Sequence, residues 1–420
     1  MKIAIIGAGF TGLAAGLKLS KAGHQVTLFE KEPLSGGLAL SFKASEWKWS
    51  LDQHYHHWFT NDDKILALAK EIDYPILTRH PKTSVYVNGK FYKLDSPSDV
   101  LKFSELSLFQ RLRMGATIAF LKYNPFWKIL EQYKVSEFLP KMMGEKPYKT
   151  LWEPLLVKKF GPFAQDISLA WFWARIAKRT PSLTYPQGGF TELANAVATQ
   201  IKKNGGKIIF NKEIKNISPQ KNGTVGIDNL IFDKAIVTLP SFLFTQITPT
   251  LPNDYKQKLL NLKGISAINL VLRLKKPFFE DNIYWLNVCD MRFPLTAIVE
   301  HTNFMDKKYY SNEHLLYLGN YLPQNHPFLQ MNKEELLEKY SPLLNRINKD
   351  YKSQIIDTHL FTDFFAQPII PVNYSKIIPS INTPLKNIYL ANIQQVYPWD
   401  RGTNYAVEMG EKVADFIFEH

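Results

Sequence analysis

Three glycines near the start of the chain have the spacing that lets a backbone turn hold a phosphate. Gly7, Gly9 and Gly12 stand in GxGxxG order, with Phe10 and Thr11 between the last two. A turn at Gly7, close approach of a ligand at Gly9 and close packing at Gly12 would place a pyrophosphate at a helix N-terminus. The pattern therefore predicts a dinucleotide site.

An acidic residue follows at the distance that such a site requires. Glu30 lies 18 residues beyond Gly12, with Lys31 beside it. A carboxylate there can accept hydrogen bonds from the hydroxyls of an adenosine ribose. We expect Glu30 to bind the ribose.

The flanking segments have the patterns of the elements that would position these residues. Residues 2–6 are a short apolar run, "LAAGLKLSKAG" has helical periodicity, and "QVTLFE" has the pattern of a strand. Strand, turn, helix and strand in this order favour a nucleotide-binding unit over a signal peptide, although the first apolar residues follow a lysine.

Composition limits the remaining classes. A chain of 420 residues with 45% hydrophobic and 21% charged residues is typical of a globular protein of two domains. The net charge of +13 comes without a long basic run or a nucleic-acid motif, so we expect no nucleic-acid partner. Cys289 is the only cysteine, which excludes an internal disulfide and favours a reducing, cytoplasmic location. No stretch has the ~18 uninterrupted apolar residues of a membrane span.

A second glycine pair indicates which dinucleotide is bound. Gly36 and Gly37 follow Glu30 in "EKEPLSGGLALSF", and this spacing resembles the flavin amine oxidase, phytoene desaturase and protoporphyrinogen oxidase superfamily. The resemblance implies non-covalent FAD, with the glycine pair beside it. Leu38 stands where many members have arginine. The resemblance covers nearly the whole chain and is greatest to bacterial protoporphyrinogen-oxidase-like proteins.

Two later segments resemble the same superfamily. In "LTYPQGGFTELANAVATQIKKNGGKIIFNKEIKNI" the resemblance places Ile214 at the adenine. "NIYLANIQQVYPWDRGTNYAVEMGEKVADFI" resembles the C-terminal element, in which a glycine-containing turn begins a helix under the flavin. The expected cofactor contacts there are Arg401, Gly402, Thr403 and Asn404.

These segments predict an α/β Rossmann-type FAD-binding domain with a discontinuous α+β substrate domain. The FAD-binding domain would comprise residues 1–59, 183–240 and 380–420, and the substrate domain residues 60–182 and 241–379. "FDKAIVTLP" is expected to close the FAD domain's sheet. Residues 60–180 have a mainly helical pattern, whereas "ISAINLVLRL", "LTAIVEH", "HLLYLGNY" and "QIIDTHLF" predict four strands of a second sheet.

Only one dinucleotide fingerprint is present, so NAD(P)H is not expected as a stable partner. A single FAD site implies hydride transfer from an organic substrate and passage of electrons to oxygen or a quinone. His56 is a candidate for proton transfer. Tyr397 and Trp399 are candidates for aromatic contacts beside the flavin. His54, His56 and His57 have no obvious further ligands near them in sequence, so we expect no metal site.

The expected function is dehydrogenation of a hydrophobic substrate of isoprenoid or tetrapyrrole type. One alternative is a flavoenzyme like UDP-galactopyranose mutase, which would need arginines such as Arg175, Arg179 or Arg273 in its cleft. Another is a prenyl-lipid escort without flavin, against which the intact glycines and Glu30 argue. The basic and aromatic segment "SLFQRLRMGATIAFLKYNPFWKIL" also suggests peripheral membrane contact.

Overall fold

The computed structural model describes residues 1–419, and its strands and helices are numbered in chain order. The strands are β1 (Lys2–Ile6), β2 (Gln25–Phe29), β3 (Ser41–Phe42), β4 (Leu51–Asp52), β5 (Trp58–Phe59), β6 (Ile76–Arg79), β7 (Lys82–Val87), β8 (Lys90–Tyr92), β9 (Leu183–Pro186), β10 (Lys207–Ile209), β11 (Ile217–Pro219), β12 (Val225–Ile227), β13 (Leu230–Phe232), β14 (Lys234–Val237), β15 (Gly264–Leu274), β16 (Ile283–Val288), β17 (Ala297–Glu300), β18 (His314–Leu322), β19 (Ile355–Pro368) and β20 (Ile388–Leu390). The helices are α1 (Phe10–Lys21), α2 (Asp63–Glu71), α3 (Pro97–Leu101), α4 (Leu108–Tyr123), α5 (Trp127–Leu130), α6 (Val135–Met143), α7 (Glu145–Pro147), α8 (Glu153–Phe160), α9 (Leu169–Ala177), α10 (Phe190–Lys203), α11 (Ser241–Ile247), α12 (Asn253–Leu260), α13 (Lys333–Ile347), α14 (Tyr351–Gln354) and α15 (Thr403–Glu419).

A five-stranded parallel sheet carries the glycine turn. Its order is β10-β2-β1-β14-β20, so strands from the two ends and the middle of the chain pair side by side. Residues Ile3 and Ile5 of the central strand are fully buried, as expected for a parallel sheet covered on both faces. Residues 234–237 were predicted to form the strand that closes this sheet. They do not lie at its edge, because β20 pairs with them on the outer side.

A seven-stranded sheet forms the second layer. Its order is β19-β15-β18-β17-β16-β7-β8, and it contains the four strands that the alternating pattern predicted. Three further members were missed. β7 and β8 lie in a region expected to be mainly helical, and β16 pairs with β7 in parallel across a long separation in sequence. The pairing of β16 with β7 leaves no local signal, whereas β7 and β8 form a local hairpin that the expectation of a mainly helical region did not include.

The helices α3 to α9 follow β8. We call the region in which α8 and α9 meet β18 and the loop before α15 the cleft. Among these helices, α4 begins at a capping box, in which Ser107 and Gln110 bond each other's backbone amides. The helical pattern over this segment is interrupted at Asn124, before Pro125, and resumes as α5. Within residues 1–419, no helix combines the length and the apolar character needed to cross a membrane.

Candidate functional site

The backbone of the glycine turn packs so closely that residues with side chains would clash at Gly7 and Gly12. Gly7 has a φ of +105°, and a β-carbon there would lie 2.5 Å from Thr238 Oγ1. A β-carbon at Gly12 would lie 2.0 Å from the carbonyl oxygen of Gly7. The chain therefore turns tightly and enters α1 at once. Backbone N–H groups at the start of α1 face the turn, which is the arrangement that binds a phosphate.

The second glycine pair lies directly against this turn. Gly36 N donates to Ala8 O at 3.0 Å, and Gly36 forms a parallel bridge with Gly9. Gly37 has a φ of +59°, and a β-carbon on it would lie 3.1 Å from the Gly9 α-carbon. Leu38 continues as a short half-buried 3-10 turn. The two glycine motifs thus form one narrow surface of exposed backbone, which fits an extended diphosphate.

Glu30 lies at the end of β2, beside the same turn. Its side chain is 8% exposed, and its carboxylate accepts from Ala8 N at 2.8 Å and from Glu32 N at 3.0 Å. An ionised carboxylate has about four acceptor positions, so capacity for ribose hydroxyls remains. Lys31, by contrast, is exposed and pairs with Glu32 at 3.5 Å.

Two other predicted cofactor residues have buried side chains. Lys212 N donates to Glu30 O at 2.9 Å, which brings the segment containing Ile214 towards Glu30, and the Ile214 side chain is 5% exposed. Phe10 is 4% exposed and contacts Phe190 edge-on at 6.3 Å. The Phe10 side chain therefore packs in the core, and its backbone is the part available to a ligand.

The start of α15 forms the second half of the site. Gly402 is exposed, and a β-carbon on it would meet no atom of the described chain within 4 Å. Thr403 Oγ1 accepts from the Trp58 indole at 2.6 Å. Asn404 Oδ1 accepts from Lys64 N at 2.9 Å and from Ile65 N at 3.1 Å, so it caps α2. These two side chains position neighbouring elements and leave the backbone of the helix start open.

Helices α1 and α15 run side by side in the same direction. A β-carbon on Gly410 would lie 2.3 Å from Thr11 O, and further along Lys18 pairs with Asp415 at 2.6 Å. Gly410 is seven residues into α15, whereas Thr11 is at the start of α1. At ~1.5 Å per residue, the N-terminus of α15 therefore extends roughly 10 Å past the N-terminus of α1 along their shared direction. One long ligand can meet both helix N-termini, first with its phosphates and then with its ring.

The two aromatic candidates contact different neighbours. Tyr397 donates to Glu131 Oε2 at 2.9 Å, and its ring lies 5.3 Å from that of Trp127. Trp399 stacks on Trp173 at 5.2 Å and on Tyr405 at 5.9 Å. Their placement attaches the loop before α15 to α5 and α9.

Asp400 connects that loop to the substrate side of the cleft. It accepts from the Trp171 indole at 3.0 Å and pairs with Arg175. Burial alone would raise the pKa of Asp400, but the charges of Arg175, Lys159 and Arg401 hold it well below its usual range. Asp400 is therefore ionised at neutral pH.

The three histidines have separate surroundings. Burial lowers the pKa of His56 to about 3, aided by Arg401, and its Nδ1 has no partner within residues 1–419. His57 Nδ1 lies 3.1 Å from Tyr284 OH, and burial likewise lowers the pKa of His57 to about 3. His54 Nε2 lies 2.7 Å from Asp363. His56 is thus neutral at physiological pH.

The three candidate arginines of the mutase alternative lie in two separate regions. The Arg273 side chain is 9% exposed and pairs with Glu313 at 2.6 Å, and Glu46 is also in contact with it. These carboxylates balance its positive charge. Arg175, near the end of α9, and Arg179, just after it, are exposed, and Arg175 pairs with Asp400 of the loop before α15.

Sequence reasoning missed two residues of this cleft. Lys159 and Tyr321 come from α8 and β18, and the Lys159 ammonium lies 4.4 Å from the Tyr321 ring centroid. Lys159 lies in "LWEPLLVKKFG", where nothing local distinguishes it from Lys158. The neighbouring lysine instead donates to the carbonyls of Val288, Asp290 and Leu295.

Comparison with known proteins agrees with this geometry. The sequence pattern of the family described as flavin containing amine oxidoreductase matches residues 10–417. A putative flavin-containing monoamine oxidase of Mycobacterium tuberculosis is 23% identical over 61% of this chain and 61% of its own. A probable zeta-carotene desaturase of Synechococcus elongatus is 31% identical over 23% of this chain and 20% of its own. The chain thus spans less than two thirds of either relative.

A solved structure matches the entire fold. The crystal structure of a putative protoporphyrinogen oxidase from Exiguobacterium has a TM-score of 0.77 at 15% identity, covering 100% of this chain and 99% of that one. The predicted two-domain fold class is confirmed. The glycine surface, the buried Glu30 and the open start of α15 are all compatible with FAD. The chain therefore belongs to the flavin containing amine oxidoreductase family, and FAD is its cofactor.

Proposed function

We propose that the protein is an FAD-dependent oxidoreductase that dehydrogenates a hydrophobic substrate of isoprenoid or tetrapyrrole type. Bound FAD would supply the hydride acceptor, and oxygen or a quinone would receive the electrons afterwards. The residues Gly7, Gly9, Gly12, Glu30, Gly36 and Gly37 would hold the dinucleotide. The open backbone at Gly402 and the start of α15 would lie near the ring.

The chain's own groups favour such a reaction in two ways. The N-terminus of α15 carries partial positive charge, which stabilises negative charge that develops nearby. His56 is half-buried and neutral, so its ring keeps one N–H group and one acceptor nitrogen, and its unpartnered Nδ1 is the atom available for proton transfer with a substrate. A dedicated nucleophile is not required, because the cofactor carries the redox chemistry.

The observation that carries the hydrophobic substrate class is an apolar surface beside the cleft. Ten of the 23 exposed large hydrophobic side chains within residues 1–419 lie between residues 101 and 142. Among them Tyr123 is 81% exposed, Phe109 71% and Phe126 67%. We call the following set the apolar face: Leu108, Phe109, Leu112, Phe120, Tyr123, Phe126 and Ile129. Monomeric proteins rarely expose such a cluster without a partner.

The apolar face adjoins the loop before α15. The ring of Trp127, which lies between Phe126 and Ile129, contacts Tyr397 at 5.3 Å. The Trp173 indole donates to Asn124 O at 2.7 Å and stacks on Trp399. A hydrophobic substrate leaving a lipid phase at this face would therefore meet the cleft within a few side chains.

We infer that this face contacts a membrane surface peripherally. Residues 101–130 contain Lys102, Arg111, Arg113, Lys122 and Lys128 but only one acidic residue, Glu105. Exposed aromatic side chains with surrounding cations suit an interface that contains anionic headgroups.

Anaerobic reduction of the bound flavin tests the enzymatic proposal. The protein is loaded with FAD and mixed in turn with an isoprenoid polyene precursor, a porphyrinogen and UDP-galactopyranose. We expect one of the first two to bleach the visible flavin absorbance in a single turnover. If neither bleaches it, and pre-reduced protein isomerises UDP-galactopyranose, the mutase alternative replaces the proposal. Arg175 and Arg179 are the observation that favours that alternative.

A further inference from the structure

A lysine of the cleft is buried among aromatic rings. Lys159 is 8% exposed, and its ammonium lies 4.4 Å from the Tyr321 ring centroid, 5.3 Å from that of Trp171 and 5.7 Å from that of Phe160. Within residues 1–419, no hydrogen bond or ion pair joins this ammonium to another side chain or to the backbone. Buried charges are normally paired, so this one lacks the partner expected of it.

A second cation lies beside the same ring. The Arg401 guanidinium donates to Tyr321 OH, and its central carbon lies 5.2 Å from the Tyr321 ring centroid. Its Nε is buried and donates to no partner among the described residues. Two cations with unused donors therefore share one tyrosine.

The charges around them do not balance. Asp400 is the carboxylate that acts on Lys159, and it is already paired with Arg175 and hydrogen-bonded to Trp171. Burial, together with Arg175 and Arg401, lowers the pKa of Lys159 well below its ordinary value. A bound anion would offset both the burial and the repulsion.

We propose that Lys159 and Arg401 form a subsite for an anionic group, a carboxylate or a phosphate, on the substrate. The inference rests on the proposed function for the view that the ligand is the substrate. Phe160, Trp171 and Tyr321 supply apolar walls beside the cations. The substrate is therefore an amphipathic molecule with an apolar body and an anionic group. A neutral hydrocarbon would leave both cations unpaired.

Equilibrium binding of simple probes to the FAD-loaded protein tests this subsite. The probes are decanoate, decyl phosphate and decanol, each below its micellar concentration, followed by tryptophan fluorescence. We expect an anionic probe to bind at least about tenfold more tightly than decanol, because a hydrogen bond to a charged group contributes roughly that factor. The tighter of the two anionic probes identifies carboxylate or phosphate as the preferred group.

Variants locate the effect. Lys159→Met should weaken the anionic probe about tenfold and leave decanol unchanged, whereas Lys159→Arg should retain tight binding. Arg401→Met is a second test if Lys159→Met folds poorly. Lys149→Met is the matched control, since Lys149 is 63% exposed and pairs with Glu145 on the surface. It removes the same charge and should change nothing.

Two results would overturn the subsite. One is equal affinity for the anionic probe in Lys159→Met and the unaltered protein. The other is anion binding that occurs in FAD-free protein and vanishes on FAD loading, since the cations would then belong to the cofactor. Flavin reduction is measured separately. A yellow protein that a neutral substrate reduces, and that binds no anionic probe, loses the subsite and keeps the oxidoreductase function.

Discussion

Gly410 of α15 lies against Thr11 of α1 so closely that a β-carbon at Gly410 would be 2.3 Å from the Thr11 carbonyl oxygen. The other near atoms are Ala14 Cβ and Ala15 N, and none of the three can move aside as the end of a flexible side chain can. The last helix of the chain is thereby fixed to the first, and the open backbone at Gly402 is held at a set distance from the glycine turn. One residue without a side chain sets the spacing of the two halves of the proposed FAD site.

Gly410→Ala should separate these helices. We expect the free energy of unfolding to fall by ~1–3 kcal/mol, the usual cost of overpacking, and FAD to dissociate more readily. Urea denaturation and flavin release on dilution measure the two effects. Gly115→Ala is the control, because a β-carbon there meets no atom within 4 Å and should stabilise α4 by roughly 0.5–1 kcal/mol. If Gly410→Ala lost no more stability than Gly115→Ala, the packing argument would be contradicted.

Glu30→Gln tests the ribose contact. The amide keeps the size of the carboxylate but loses its charge and one acceptor oxygen, so FAD affinity should fall about tenfold or more. Titration of FAD-free protein with FAD gives the dissociation constant. Glu32→Gln is the control, since Glu32 is 46% exposed and pairs with Lys31. Unchanged affinity in Glu30→Gln would remove Glu30 from the site.

Asn404→Ala separates a structural role from a cofactor contact. Because Asn404 Oδ1 caps α2, its loss should cost ~0.5–2 kcal/mol of stability. If the side chain has no flavin contact, the FAD dissociation constant stays the same when it is measured under conditions in which the variant is fully folded. Asn404→Asp, which retains the acceptor oxygen, should restore the stability. A large loss of FAD affinity in Asn404→Ala would instead assign this side chain to the flavin.

Asp52 gives a pH dependence of stability. It is 1% exposed, and burial raises its pKa from 3.8 to about 7 despite hydrogen bonds from Tyr185, Ser41 and Phe190. The folded protein keeps this proton where the unfolded chain has lost it, so stability falls as pH rises from about 4 to about 7. Asp52→Asn should remove that slope, worth at most ~4 kcal/mol across the window. Urea midpoints of the FAD-saturated proteins at several pH values measure it, and parallel pH profiles would refute it.

Vesicle co-sedimentation tests the apolar face. The double variant Phe109→Ser, Phe126→Ser should bind anionic vesicles at least about tenfold more weakly, because each ring loses its burial in the interface. High salt should weaken binding of the unaltered protein, and neutral vesicles should bind it less. Phe364→Ser is the matched control, since Phe364 is 54% exposed on β19, in the other layer. Binding that ignores lipid charge, salt and the double variant would exclude this membrane contact.

Local sequence patterns predicted those parts of the molecule whose structure is determined by residues close together in sequence. The strand, turn and helix around Gly7, Gly9 and Gly12 follow from glycine spacing, and four strands of the second sheet follow from alternation. β7 and β16 pair in parallel across a long separation in sequence, and that pairing has no local signal, although each strand also pairs with its neighbour in sequence, β8 or β17. Residues 60–180 had a mainly helical pattern, and yet they also supply β6, β7 and β8.

Side-chain roles were the least predictable part of the site. Thr403 and Asn404 were expected at the cofactor, and their side chains contact Trp58 and α2, which lie more than 300 residues earlier. Lys158 and Lys159 are adjacent, but the helix turns one towards backbone carbonyls and the other towards Tyr321. Such differences depend on which distant elements pack around each residue, and no local pattern records that.

The order of strands in the parallel sheet has a consequence for biosynthesis. β1 pairs with β14, and β14 pairs with β20, which ends at Leu390, while α15 packs on α1. A ribosome must therefore release the chain beyond Val237 before β1 has both of its strand partners, and the residues of α15 before α1 has the helix that packs beside it. Until then the glycine turn lacks this second helix. We expect nascent chains stalled before residue 380 to retain no FAD, so that cofactor insertion follows translation.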